Sequence, residues 1–255
     1  MGTKAKRLVV ANWKMNPKSD KEALALFKEL AEGLKDLKEV DVVVCPSFLH
    51  IPAIVYSGKG RNLQLGAQNM FWEEKGAFTG EVSPAQLSGF GVKYVILGHS
   101  ERRKIGETDE IIAKKVRAAL DVGFTPILCI GETLDDRNSG EWSNRLNFQL
   151  RCGLENVRRE EMGNVAILYE PFWAVGTSRA CGAKEARETR LFAEDSIGGF
   201  YNDPNISKDI NSLYGGSVTS KNAGSYVKEA GYNGLLVGGA SLDPKEFIKI
   251  IKAVA

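Results

Sequence analysis

Tyr94-Val95-Ile96-Leu97-Gly98-His99-Ser100-Glu101 carries the pattern that decides the fold. Four apolar residues in a row, with no polar alternation, suit a strand buried on both faces, as in a parallel sheet. A glycine ends the run, and polar residues capable of chemistry follow at once. Short runs rich in apolar residues recur at Leu8–Ala11, Val42–Cys45, Leu63–Ala67, Pro126–Ile130, Val165–Tyr169, Leu213–Tyr214 and Leu235–Val237. With Tyr94–Leu97 these make eight candidate strands. Leu213–Tyr214 is a poor strand by itself and is placed by its position in the series.

Between most of the runs lies a stretch with helical spacing. Leu24, Phe27, Leu30, Leu34 and Leu37 recur at three or four residues, with Ser19-Asp20 placed to cap the start. Ile111, Ile112, Val116, Ala119 and Leu120 form a second stripe, and Phe247, Ile248, Ile251 and Val254 a third. Pro244 fits the first turn of that last helix. Gly198–Asn211, rich in Gly, Asn, Asp and Pro, reads as a long irregular connection. Eight strands joined by helices predict an α/β chain: a (β/α)8 barrel forming a single domain over residues 1–255. A doubly wound open sheet is the rival.

The chain has 255 residues with 43% hydrophobic and 26% charged side chains, which excludes a disordered or fibrous protein. A net charge of +2 gives no electrostatic case for nucleic acid or an anionic membrane as partner. No apolar run is long enough to span a bilayer. The basic start Met1–Arg7 leads into an apolar run too short for a signal-peptide core. Cys45, Cys129, Cys152 and Cys181 lie far apart without a CxxC pair, which suits a reducing compartment. These features point to the cytoplasm. Two distant histidines and no tight carboxylate cluster give no metal site, and no GxGxxG or P-loop signals a nucleotide.

In a parallel barrel the functional groups sit at the carboxyl ends of the strands. There the chain places Asn12-Trp13-Lys14, Gly98-His99-Ser100-Glu101, Glu170-Pro171, Gly215-Gly216-Ser217 and Gly238-Gly239-Ala240-Ser241. Glycine lets backbone N–H groups approach an oxyanion, and a helix start beyond it adds partial positive charge. Two such pairs after the last two strands predict a phosphate cradle; the plainer reading is two tight turns. His99, at a helix start, is expected as a neutral ring that donates to a carbonyl oxygen. Taken alone, such a residue is more often a satisfied structural histidine than a catalyst.

Glu170, at the end of an apolar strand, is a partly desolvated carboxylate suited to act as a base. A strand-end salt-bridge acid is the plainer alternative. Pro171–Thr177, apolar and glycine-containing, suits a segment that closes over a site. Lys14 neutralises a phosphate or a developing enolate, or pairs at the rim with an acid such as Glu101. A base, an electrophile, a lysine and a phosphate cradle suffice for proton abstraction beside a carbonyl. His50 is assigned no chemistry.

At these residues the chain resembles the triosephosphate isomerase family. The resemblance runs through Val9–Asn16, Ala67–Asn69, Gly76–Glu81, Ile96–Arg103, Cys129–Glu132, Tyr169–Thr177, Leu213–Val218 and Val237–Leu242, in family order over nearly the whole chain. It implies interconversion of dihydroxyacetone phosphate and D-glyceraldehyde 3-phosphate, a small phosphorylated triose, without a cofactor. Glu170 would move the proton between carbons, and His99 would polarise the carbonyl and shuttle protons between oxygens. Asn12 and Lys14 would contact substrate and stabilise the enediolate. Gly176, Ser217, Gly238 and Gly239 would hold the phosphate through backbone N–H groups.

The resemblance also implies a homodimer through the Phe71–Glu81 loop, with Thr79 near Lys14 of the partner subunit. Ser178-Arg179-Ala180-Cys181 departs from the usual far hinge of the closing segment, which bears on its opening and closing rates. Ser212 stands where an aliphatic residue is usual. Two other readings compete: a different sugar-phosphate isomerase, and a slow barrel kept for binding or scaffolding.

Overall fold

Alternation within the strands shows what they bury. Leu8 and Val10, Val43 and Cys45, Ile96, Ile127 and Cys129, Ala166 and Leu168, Leu213, and Leu236 form one closed cluster. Their neighbours Val9, Ala11, Val42, Val44, Val95, Leu97, Leu128, Ile130, Ile167, Tyr169, Leu235 and Val237 pack instead into a larger cluster with the helices. Successive side chains on a strand point to opposite faces, so the strands that contribute to both clusters are buried on both sides. The smaller cluster fills the inside of a barrel, and the larger lies between barrel and helices.

The computed structural model describes residues 6–58, 60, 63–175 and 181–255. The strands are β1 (Arg7–Asn12), β2 (Val40–Cys45), β3 (Leu63–Ala67), β4 (Tyr94–Leu97), β5 (Thr125–Ile130), β6 (Ala166–Tyr169), β7 (Asn211–Tyr214) and β8 (Gly234–Val237). Each pairs in parallel with the next, and β8 returns to β1 to close the barrel, with Leu8 opposite Gly234 and Ala11 opposite Val237. The (β/α)8 architecture is thus the observed one, and the open-sheet rival is excluded.

The helices among the described residues are α1 (Asp20–Gly33), α2 (Ile51–Tyr56), α3 (Pro84–Gly89), α4 (Ser100–Lys104), α5 (Asp109–Asp121), α6 (Leu134–Ser139), α7 (Trp142–Leu154), α8 (Ala183–Tyr201), α9 (Ala223–Lys228) and α10 (Pro244–Val254). Ser19 caps α1 by accepting from Glu22 N–H, a contact worth about 1 kcal/mol. On α10, Phe247, Ile250, Ile251 and Val254 are buried, each contributing about 1.5–3 kcal/mol over exposure.

Two expectations need correction. Gly198 and Gly199 do not open a long irregular connection: α8 runs through them to Tyr201, and Asn202, with φ of 50°, ends it in the left-handed conformation. Packing of Ala193 and Ile197 into the core outweighs the weak helix propensity of two glycines. The connection to β7 is therefore short and contains a single 3-10 turn, Ile206–Lys208. Nor does a helix begin directly after Gly215-Gly216-Ser217; α9 starts only at Ala223.

β7 starts at Asn211, ahead of Leu213–Tyr214, because Ser212 is clasped. Asn233 Oδ1 accepts from Ser212 N at 3.0 Å and from Ser212 Oγ at 2.9 Å. The hydroxyl that replaces an aliphatic side chain is thus satisfied within the barrel wall.

Candidate active site

The inward phase of each strand, continued past its end, projects residues into the mouth of the barrel. From Leu8 and Val10 it reaches Asn12; from Ala166 and Leu168 it reaches Glu170; from Leu236 it reaches Gly238. His99 is out of phase with Ile96. The correction comes from Gly98, whose φ of +75° is a left-handed conformation that glycine adopts without strain. A Cβ at Gly98 would lie 2.9 Å from Ile112 Cδ1, so close packing demands glycine as well.

His99 caps the short helix α4, its Nδ1 accepting from Glu101 N–H at 3.2 Å. An N–H aimed at Nδ1 fits the tautomer that carries its proton on Nε2. His99 Nε2 stands 2.9 Å from Glu170 Oε1, outside good hydrogen-bond alignment, and Oε1 has no aligned donor. The other carboxylate oxygen, Oε2, accepts from Ser100 N–H at 2.9 Å. Glu170 is 0% exposed and His99 is buried beside it.

Lys14 is the third member. Its φ of 54° is unusual for a residue with a side chain, and its neighbours hold it there. Asn12 Oδ1 accepts from Lys14 N–H at 3.0 Å, and Gln68 Nε2 donates to Lys14 O at 2.8 Å. Lys14 Nζ pairs with Glu101 Oε1 at 2.6 Å. Burial pushes the Glu101 carboxyl up, but the Lys14 ammonium outweighs that and holds it below its ordinary value.

Asn12, Lys14, Gln68, His99 and Glu101 line one cleft of about 350 Å³. Glu170 does not line it, lying buried behind the His99 ring. On the other side of Lys14, a Cβ on Gly238 would lie 3.2 Å from Lys14 Cε, which brings the end of β8 against the ammonium stem. Gly239 begins a 3-10 turn, Gly239–Leu242, and Ser217 lies at the end of the neighbouring β7 turn, half-buried. Gly176, the fourth expected phosphate contact, and hinge positions 178–180 lie outside the described residues. Cys181 is buried, and its thiol is pushed up to about 12 by that burial and then by Glu185.

Several supporting residues escaped the sequence reading. Arg103 donates to Gly98 O at 2.7 Å, to Cys129 O at 3.2 Å and to Asp109 at 2.6 Å, bracing the turn that orients His99. Glu132 is fully buried, and its Oε1 accepts from Trp173 Nε1 at 2.9 Å, Tyr169 OH at 3.0 Å and Arg137 Nε at 3.1 Å. Burial raises its carboxyl above the ordinary value despite these donors. It thus tethers the first part of the Pro171–Thr177 segment. Its signals in the sequence were its position just past a strand end and its place in the Cys129–Glu132 block.

Among the described residues, no three His, Cys, Asp or Glu side chains cluster to hold a metal ion. No described helix is long and apolar enough to cross a membrane.

Fold and site together define the class: a (β/α)8 barrel with an acid–base cluster assembled at its carboxyl mouth. Comparison with known proteins narrows it. The triosephosphate isomerase family profile matches residues 7–254. Triosephosphate isomerase of Thermoanaerobacter pseudethanolicus is 43% identical over 96% of this chain and 98% of its own length. That of Carboxydothermus hydrogenoformans is 43% identical over 97% and 98%, and that of Symbiobacterium thermophilum 43% identical over 97% and 96%. The chain belongs to the triosephosphate isomerase family, and by class it is an intramolecular isomerase.

Proposed function

We propose that this chain interconverts dihydroxyacetone phosphate and D-glyceraldehyde 3-phosphate through an enediolate, without a cofactor. Glu170 removes a proton from the carbon beside the carbonyl and returns it to the neighbouring carbon. As the C–H bond breaks, its electron pair moves into a new C=C bond and the carbonyl pair moves onto oxygen. His99 donates from Nε2 to that oxygen and passes protons between the two oxygens. Asn12 and Lys14 contact substrate, the ammonium offsetting the charge that grows on the enediolate. Backbone N–H groups of Gly176, Ser217, Gly238 and Gly239 hold the phosphate. Closure of the Pro171–Thr177 segment excludes water from the enediolate and suppresses loss of phosphate.

The observation that carries this reading is the Glu170 Oε1 atom, fully buried, without an aligned donor, and 2.9 Å from His99 Nε2. A carboxylate serving only as a strand-end salt bridge would have a cation on that oxygen. The test is turnover of D-glyceraldehyde 3-phosphate by the wild type beside Glu170→Gln. Loss of the base is expected to lower kcat by about 10²–10⁴. Equal turnover by the variant rejects the assignment.

The same reading makes the chain a single barrel domain over residues 1–255, resident in the cytoplasm, and a homodimer through the Phe71–Glu81 loop. The loop stands out from the barrel, with the Phe71 ring stacked on Trp72 at 3.9 Å and 4.5 Å from Phe78. Around the cleft, Met15 is 94% and Ile105 75% exposed. An apolar rim of this kind suits a second copy's loop, Thr79 reaching toward Lys14 of the partner subunit.

A further inference from the structure

The peptide of Gly131 lies one residue past the end of β5, where the barrel wall is incomplete. On one side it has a neighbour: Glu170 N donates to Ile130 O at 2.8 Å and Phe172 N donates to Glu132 O at 3.1 Å. Gly131 sits between these two bonds, and its Cα face is packed against the Glu170 peptide. A Cβ there would lie 1.9 Å from Glu170 O and 2.5 Å from Phe172 Cε1. On the other side the strand partner is missing, because the β4–β5 pairing stops at Leu97 opposite Leu128. The N–H and C=O of Gly131 would be left bare in the interior.

They are taken instead by a helix side chain. Gln149 of α7 is 3% exposed. Its Oε1 accepts from Gly131 N at 2.8 Å, and its Nε2 donates to Gly131 O at 3.0 Å. The primary amide thus stands in for the absent strand, pairing with the N–H and the C=O of one residue. Its helix is anchored one turn further on. A Cβ at Gly153, on the same helix face, would lie 2.6 Å from Leu128 Cδ2, so α7 lies directly against β5. From that fixed helix the amide reaches one peptide, and the Glu170 backbone rests on that peptide.

We propose that Gln149 is a positioning residue for Glu170: it locks the Gly131 peptide in both its polar groups and so sets where the Glu170 carboxylate and the start of the Phe172–Val175 turn stand. The proposal rests on the reading of Glu170 as the base. Gln149 touches no reacting atom and does not line the cleft, so its removal acts on geometry at one carboxylate and leaves the phosphate-holding turns of β7 and β8 alone.

The test uses Gln149→Met, which keeps the volume and loses both bonds, and Gln149→Glu, with Glu170→Gln in parallel. Steady-state kcat and KM for D-glyceraldehyde 3-phosphate are measured across pH, with competitive inhibition by inorganic phosphate as the probe of the cradle. For Gln149→Met we expect kcat to fall about 10–100-fold, because ångström-scale misplacement of a reacting group costs on that order, while KM and phosphate inhibition move less than about threefold. Gln149→Glu carries a pH signature. As a carboxylate it accepts from Gly131 N and cannot donate to Gly131 O; as a neutral acid it does both. Its kcat relative to wild type therefore rises as pH falls.

A Gln149→Met enzyme with lowered Tm but wild-type kcat overturns the proposal, as does a Gln149→Glu ratio that is flat with pH. If Gln149→Met does not fold, the Gln149→Glu ratio alone decides. An inactive Glu170→Gln beside fully active Gln149 variants removes the positioning role only. A fully active Glu170→Gln removes the base assignment beneath it.

Discussion

Shortening Glu170 by one methylene, in Glu170→Asp, tests the base by geometry while its charge is preserved. One carbon–carbon bond is about 1.5 Å. The carboxylate now lies 2.9 Å from both Ser100 N and His99 Nε2. Withdrawn toward β6 by that length, it leaves both contacts near 4 Å, beyond hydrogen-bond range. In the reactive complex, where the carbon is expected about 3–3.5 Å from the glutamate oxygen, the same shortening opens that gap. With about 10²-fold lost per ångström of misplacement, kcat is expected to fall about 10²–10³-fold. That loss corresponds to about 2.7–4 kcal/mol of barrier. KM should stay within about threefold, because the carboxylate does not hold the phosphate. The assay is conversion of D-glyceraldehyde 3-phosphate coupled to NADH oxidation, run beside a thermal melt to verify the fold. A folded Glu170→Asp enzyme with kcat within about threefold of wild type would refute the reasoning.

Lys14→Met removes the ammonium and its 2.6 Å partner contact with Glu101; kcat/KM should drop by at least about 10²-fold. The pair is partly exposed, so Tm should change little, and a large Tm loss at normal turnover would contradict the assigned role. Glu161 is held well below the ordinary carboxylate range by Arg117, then by the Arg158 backbone N–H. Its stabilisation is therefore present above the unfolded pKa of about 4.3 and is lost as pH falls through that range toward the folded value. Glu161→Gln should cost about 1–3 kcal/mol at neutral pH and flatten the acid side of the stability curve in denaturant titrations. Replacing the loop from Trp72 to Gly80 by a short glycine linker should yield a monomer by sedimentation; an unchanged dimer would assign the interface elsewhere.

The strands were legible because burial writes itself as short runs rich in apolar residues, and Tyr94–Leu97 and Leu63–Ala67 are found with those bounds. Residues at strand ends were legible for a related reason: Glu170 follows a run whose inner phase is already visible as Ala166 and Leu168. Gly198-Gly199 misled because local propensity says nothing of the tertiary packing that carries α8 past them. Gln149 was invisible. It sits inside an ordinary amphipathic helix, and its use depends on the β4–β5 pairing ending at Leu128, three residues before Gly131, a fact of register between separate elements. The Arg103 brace on Gly98 and Cys129 is hidden for the same reason.

Lys14 comes from the first strand's end and leans on Gly238 at the end of the last, a contact that exists only because β8 pairs with β1. The groups that face one another in the mouth are thus separated by almost the entire length of the chain, across the seam where the ring is joined. A molecule with that seam unzipped would retain most of its helix and much of its sheet, yet Lys14 would no longer meet the turn at Gly238. Enzymatic turnover in this chain is consequently a finer gauge of ring closure than any spectroscopic measure of secondary structure.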